Sequence, residues 1–190
     1  MNILTAISGL WIALGVVVIV VLYVVMAYNG LVSQRNLVEE AFSTMDVYLK
    51  KRYDLIPNLV ETVKGYAKHE SGTLEAVISA RNKAVNATTD EARLQAEGDL
   101  SQVMGRLFAL TESYPDLKAN TNFLDLQNQL KLIETEIAQS RKYYNGTTRD
   151  FNTKIETFPS VIIANMFGFK RKPLYEVNNE TERENVKVSF

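Results

Sequence analysis

The sequence predicts an all-α protein: one N-terminal transmembrane helix continuing into a bundle of three long antiparallel helices, with a short helix near the C-terminal end. Three observations predict it. Ile3 to Ala27 holds no ionisable side chain except Tyr23. From Leu31 to Phe151 apolar residues recur by alternating threes and fours, the spacing of one helix face. Four prolines and nine glycines among 190 residues leave long stretches without a helix breaker. Sustained two-residue alternation is missing before the tail, so essentially no sheet is expected there.

The transmembrane anchor, residues 1–27, is the first element. Leu10 to Ala27 is an unbroken apolar run, and at 1.5 Å per residue it covers about 27 Å of a hydrocarbon layer about 30 Å thick. Leu10, Val18 and Leu22 face lipid in this reading. Trp11 and Tyr23 sit near the ends, where amphipathic rings prefer the headgroup level. A cleaved signal peptide is the alternative, but no Lys or Arg precedes the run and the run exceeds an ordinary signal-peptide core. Arg35 and then Lys50, Lys51 and Arg52 follow the span, so the positive-inside rule places the rest of the chain in the cytoplasm of a bacterial inner membrane. A periplasmic or extracellular bundle is the alternative orientation.

The helical bundle, residues 28–169, comes next. Its first rod, about 29–69, carries the seam Leu31, Arg35, Val38, Phe42, Met45, Leu49, Arg52, Ile56, Leu59, Val63 and Tyr66. Pro57 removes a backbone donor and disfavours helix at Ile56, which predicts a kink or short break there. The second rod, about 73–114, breaks near 87–90, where Thr88 and Glu91 match a capping box and mark a restart. Pro115 stops it. The third rod, about 121–158, opens at Asn120-Thr121-Asn122 and carries Phe123, Leu126, Leu130, Ile133, Ile137, Ser140, Tyr144, Thr147 and Phe151. Short connections make neighbouring rods antiparallel, so they run away from the membrane, back, and away again.

That geometry predicts that the apolar segment Val161 to Phe169 begins far from the anchoring bilayer. It reads as a short helix, about 160–167, ended by Gly168 and followed by Lys170-Arg171-Lys172. Ile163, Met166, Phe167 and Phe169 either cap the bundle or form an exposed tip for a subunit, a partner or a second membrane. Residues 170–190 are expected to be a polar, partly disordered tail.

The catalytic repertoire is thin. The chain has no cysteine, which excludes disulfides and thiolate chemistry, and His69 is its one histidine. Glu-x-x-His pairs, Walker loops and Gly-x-Ser-x-Gly elbows are all missing. Neither cofactor nor metal site is expected, and no enzyme activity. With 21 basic against 22 acidic side chains the net charge is −1, so nucleic acid is not an expected partner. Arg35 and Arg52 stand on the apolar seam of the first rod. A buried arginine there needs a carboxylate, with Glu136, Asp125 and Asp99 as candidates, and would set helix register or subunit contact.

Tyr28-Asn29-Gly30-Leu31-Val32, Arg52 to Val60, Val63 to Glu70, Ala80-Arg81, Tyr114 to Asn120, Glu136 with Ala138 and Arg141, Tyr144-Asn145 and Phe158 to Phe169 resemble, in order, the LemA family of bacterial membrane proteins. The resemblance covers about residues 28–170. It implies a single N-terminal transmembrane helix, a bundle of long antiparallel helices, relatives in magnetosome membranes and no established enzymatic activity.

The functional expectation is a membrane-anchored, non-enzymatic structural or scaffolding protein. Its partners are the lipid bilayer and other copies of itself, a homo-oligomer built through the helical stalk. The alternative is a monomeric adaptor that recruits an unidentified protein or membrane partner through a distal apolar tip or tail. Arg35, Arg52, Pro57, Ile163, Met166, Phe167 and Phe169 are the candidate assembly or register residues.

Overall fold

The computed structural model describes residues 3–175, with side chains from Leu10 onward. Among the described residues there are six α-helices and no strand: α1 Ile3–Tyr66, α2 Ser71–Val85, α3 Asp90–Thr111, α4 Pro115–Lys118, α5 Thr121–Glu156 and α6 Ser160–Met166. They form two compact units. Unit 1 runs to Ala41 and takes in Tyr144–Lys172. Unit 2 holds Phe42–Tyr143 and the described residues from Pro173 onward. Both α1 and α5 contribute to each.

The helix α1 is 64 residues long and passes through Pro57 without a break. The short break expected as one outcome there is absent, and the reason is tertiary. Proline at 57 cannot donate to the carbonyl four residues earlier, that of Tyr53. Arg81 Nε, on α2, donates to that oxygen at 3.2 Å. A side chain from the neighbouring helix replaces the missing backbone donor.

The expected second rod is a reversal rather than a broken rod. Asn86 ends α2, and the Thr89 hydroxyl accepts the Ala92 N–H at 3.1 Å to open α3, one residue beyond the expected cap at Thr88. The two helices then pack on each other, with Lys83 bound to Asp99 at 2.6 Å. Within unit 2, α1 and α3 run in the same direction, since Asp46 pairs with Arg93 and Arg52 reaches Ser101. By contrast α5 opposes α1. The Asn120 amide, at its start, donates to the Tyr66 hydroxyl, and Glu134 meets Arg52. Unit 2 therefore has four long helical segments where three were expected. Caps signal where a helix restarts, not which way the chain turns.

One extra reversal changes where the chain returns. In unit 1 the Lys154 ammonium, near the end of α5, lies 3.3 Å from the Gly30 carbonyl oxygen on α1. A Cβ at Gly30 would stand 3.1 Å from that nitrogen, so glycine permits the approach. The segment after α5 thus lies beside the end of the apolar run and not far from it.

The core follows the seam. Leu31, Val38, Met45, Leu49, Arg52, Ile56, Leu59 and Val63 are buried, as are Phe123, Leu130, Ile137, Tyr144, Thr147 and Phe151 on α5. The Asn120 side chain caps α5 by accepting the Phe123 N–H at 2.9 Å. Gly168, at φ 72°, ends α6, while the Phe169 N–H returns to the Ala164 carbonyl at 2.9 Å. The expected polar tail begins later than residue 170. Asn152 brackets the Lys172 backbone with two bonds of 2.9 Å, and Tyr175 is buried. The remainder of that tail lies outside the described residues.

Candidate functional site

Three regions carry the candidate residues. The first is the apolar stretch of α1. Leu10, Trp11, Val18, Leu22 and Tyr23 are all exposed along it. Among the described residues this is the one helix long and apolar enough to cross a membrane, and none of its most apolar window is covered by the protein. A core helix of a water-soluble protein would be covered. The stretch is compatible with a membrane anchor.

The second region is a buried charge network in unit 2, centred on Arg52. Its guanidinium is fully buried and donates to Glu97, to Glu134 Oε1 at 2.6 Å and to Ser101 Oγ at 3.2 Å. The Tyr53 hydroxyl donates to the other oxygen of Glu97. Three helices, α1, α3 and α5, are tied through one side chain. Burial opposes the Arg52 charge, yet Glu97 and Glu134 more than offset it and its pKa is raised. Burial outweighs Arg52 at Glu97, whose carboxyl sits above the usual carboxylate range. Burial, then the Glu97 charge, drives the Tyr53 hydroxyl well above 10. Nearby, Tyr175 is pushed up to about 12, by burial first, with the Arg141 guanidinium 4.1 Å from its ring centre opposing the shift.

The expected seam position of Arg52 thus holds, but its partners are not those foreseen. Glu136 and Asp125 are exposed, and Asp99 binds Lys83. The true partners lie two residues earlier on the same helices as Asp99 and Glu136. A signal for Glu97 exists in the sequence: Leu94, Glu97 and Leu100 are spaced by threes on one face, and all are buried. Arg81 carried no such signal, because its acceptor is created by Pro57 on another helix.

The third region is an aromatic cluster in unit 1. The Phe167 ring lies 4.7 Å from that of Tyr28, and the Phe169 ring lies 6.0 Å from Tyr28 and 6.4 Å from Phe151. Arg35 is not a buried seam residue. Its side chain is 45% exposed, pairs with Glu39 one turn on, and lies 5.8 Å from the Phe169 ring centre. Of the tip residues, Ile163 is buried and Met166 and Phe167 are exposed.

Among the described residues no three His, Asp or Glu side chains are grouped to hold a metal ion. His69 is exposed. One open groove of about 580 Å³ runs between α1 and α2, lined by Val60, Lys64, Leu74, Ile78 and neighbours.

These features define a class: a helical protein whose first helix begins as an uncovered apolar rod and ends in a core locked by a buried ion network. The sequence model of the LemA family matches residues 41–190. The chain belongs to the LemA family. It is 26% identical to Protein LemA of Metamycoplasma hominis over 85% of this chain and 74% of that protein. It is 24% identical to Magnetosome protein MamQ of Magnetospirillum gryphiswaldense, over 77% of this chain and 63% of that one. Magnetosome protein MamQ 2 of Paramagnetospirillum magneticum is also 24% identical, over 80% of this chain and 65% of its own length. The matched part thus spans less than two thirds of these two MamQ proteins.

Proposed function

We propose that this chain is a single-pass, non-catalytic structural protein that assembles with copies of itself in a bacterial membrane, its helical part on the cytoplasmic side. The observation offered for self-assembly is a set of large apolar side chains left exposed on α5 after the chain has packed. Leu132 is 69% exposed on α5, and Tyr143, eleven residues on and so on nearly the same face, is also exposed. Leu124 adds a third exposed apolar side chain to this stretch of α5. Confinement by the anchor raises the local concentration of copies, so a modest contact suffices. The relatives named as magnetosome proteins support placement at a membrane. The positive-inside rule, with Arg35 closest to the span, supports the cytoplasmic placement.

An adaptor reading has weaker support, because the tip it relies on is not distal: Phe167 lies 4.7 Å from Tyr28, at the end of the apolar run. The test is light scattering and negative-stain imaging of the full chain in mild detergent. A discrete assembly that Leu132→Glu disperses is the expected result. A monomer in both samples would overturn self-assembly.

A further inference from the structure

We propose that α6 is a second membrane contact. Its outer face, Phe158, Ile162, Met166 and Phe167, seats in the headgroup region of the same bilayer that α1 crosses. Lys170, Arg171 and Lys172 lie beside anionic lipid phosphates. The inference rests on reading α1 as a membrane anchor.

Position is the first argument. The apolar run of α1 ends at Ala27, and the next residue, Tyr28, stacks on Phe167. Lys154 is fastened to the Gly30 carbonyl, which brings the end of α5 to the same level. Val24 and Ala27, on the α1 face that continues to buried Leu31, are already half-covered. The segment that follows α5 therefore starts where the bilayer surface must lie.

The second argument is the face that α6 presents. Ile163 and Ala164 turn inward and are buried. Ile162 and Met166, one turn apart on α6, are 56% and 62% exposed, and Phe158 and Phe167, which flank the helix, are 76% and 51% exposed. A contiguous apolar patch of this kind marks a contact surface, whereas single exposed apolar residues do not. Charge is the third. From Thr157 to Lys172 the chain has three cations and no acidic residue. Glu156 binds Arg171 at 2.7 Å, which leaves Lys170 and Lys172 as the uncommitted charges of that group. An apolar face with a basic margin is the composition of helices that lie in a membrane surface. A second copy fits this face less well, since a two-fold contact would bring the basic margins together. So short a helix would bind lipid weakly alone. The covalent tether to α1 makes the contact intramolecular.

The chain has no native cysteine, so single labels report cleanly. Ile162→Cys and Met166→Cys, spin-labelled in the full chain, are reconstituted in vesicles of phosphatidylcholine with phosphatidylglycerol. Val18→Cys serves as the label in the hydrocarbon and Val47→Cys as a label on another exposed apolar position, away from the proposed assembly contact. The expected result is a several-fold loss of collisions with a water-soluble nickel chelate at 162 and 166 relative to 47. Oxygen collisions there should be intermediate between 47 and 18. Lys170→Gln with Lys172→Gln should reduce the dependence of this protection on phosphatidylglycerol. Labels at 162 and 166 as open to nickel as 47 would overturn the proposal while Val18 still reports the anchor. Protection that vanishes when the lipid-to-protein ratio is raised would overturn it in favour of a second copy, and protection that needs added empty vesicles would overturn it in favour of an opposing bilayer. A water-exposed Val18 would instead overturn the anchor reading itself.

Discussion

In unit 2, α1 and α5 meet around the buried guanidinium of Arg52, which bonds Glu97, Glu134 and Ser101. In unit 1 the same two helices meet around Tyr28, Phe151 and Phe169, and the polar groups there hold backbone: Lys154 on Gly30, Asn152 on Lys172. The first arrangement is directional and intolerant, because a charge taken out of water must find its partners at fixed positions. Tilted and edge-to-face ring contacts accept small shifts in distance and angle. The difference teaches where each unit can give: the contact in unit 2 demands its groups at set positions, while the contact in unit 1 tolerates small shifts.

The strongest way to break this contrast is Arg52→Leu, which leaves Glu97 buried without its cation. A loss of about 3–5 kcal/mol in denaturant-unfolding stability is expected. Replacing Glu97 as well, as Arg52→Leu with Glu97→Leu, should recover much of it, because two apolar side chains leave no orphaned charge. If the single variant unfolds like the parent, the network does not hold register.

Next in size is the cycle between Pro57 and Arg81. Arg81→Ala alone orphans the Tyr53 carbonyl and should cost on the order of 2 kcal/mol. With Pro57→Ala present, the restored backbone N–H at 57 takes over, and the same Arg81→Ala change should cost much less. Equal costs in both backgrounds would show that the Arg81 bond does not replace the proline's missing donor.

The tyrosines sharpen the comparison through pH. Tyr175 titrates at about 12 in the folded chain against 10 ordinarily. A raised pKa contributes stability that is whole below pH 10 and is lost as pH climbs toward 12. Tyr53 is raised too, so its loss has the same sign and begins at the same point. Stability measured against pH should fall above 10, and Tyr175→Phe should flatten the part of the fall below 12. An unchanged slope in that variant would remove Tyr175 from the account. Smallest is Arg35→Gln in unit 1, where a half-exposed cation over Phe169 is worth about 0.5–1 kcal/mol. A larger loss on thermal unfolding would mean that unit 1 depends on charge more than its rings suggest.

Much of the fold was legible because helix faces write themselves as periods of three and four. The seam from Leu31 to Val63 and the ladder from Phe123 to Phe151 were readable in this way; residue chemistry marked the stop at Gly168 and narrowed the cap of α5 to Asn120, Thr121 or Asn122, of which Asn120 makes the bond. The reversal at 86–89 was not, since the cap that restarts a helix in line looks the same as one that restarts it after a turn. That single ambiguity moved Phe167 from the expected far end to the side of Tyr28. The passage of α1 through Pro57 was hidden for another reason: its remedy stands twenty-four positions away on a helix whose placement depends on the same turn. Glu97 was within reach, had the period of α3 been followed backward from Leu100.

The bond from Arg81 to the Tyr53 carbonyl also restricts the order in which this chain can change over generations. A lineage that first exchanges Pro57 for another helix former regains its own backbone donor and makes Arg81 dispensable at this site. A lineage that loses Arg81 first must pass through a form with an unanswered carbonyl. The two positions behave as one inherited character with a preferred direction of loss, and descent through the proline exchange is the open path.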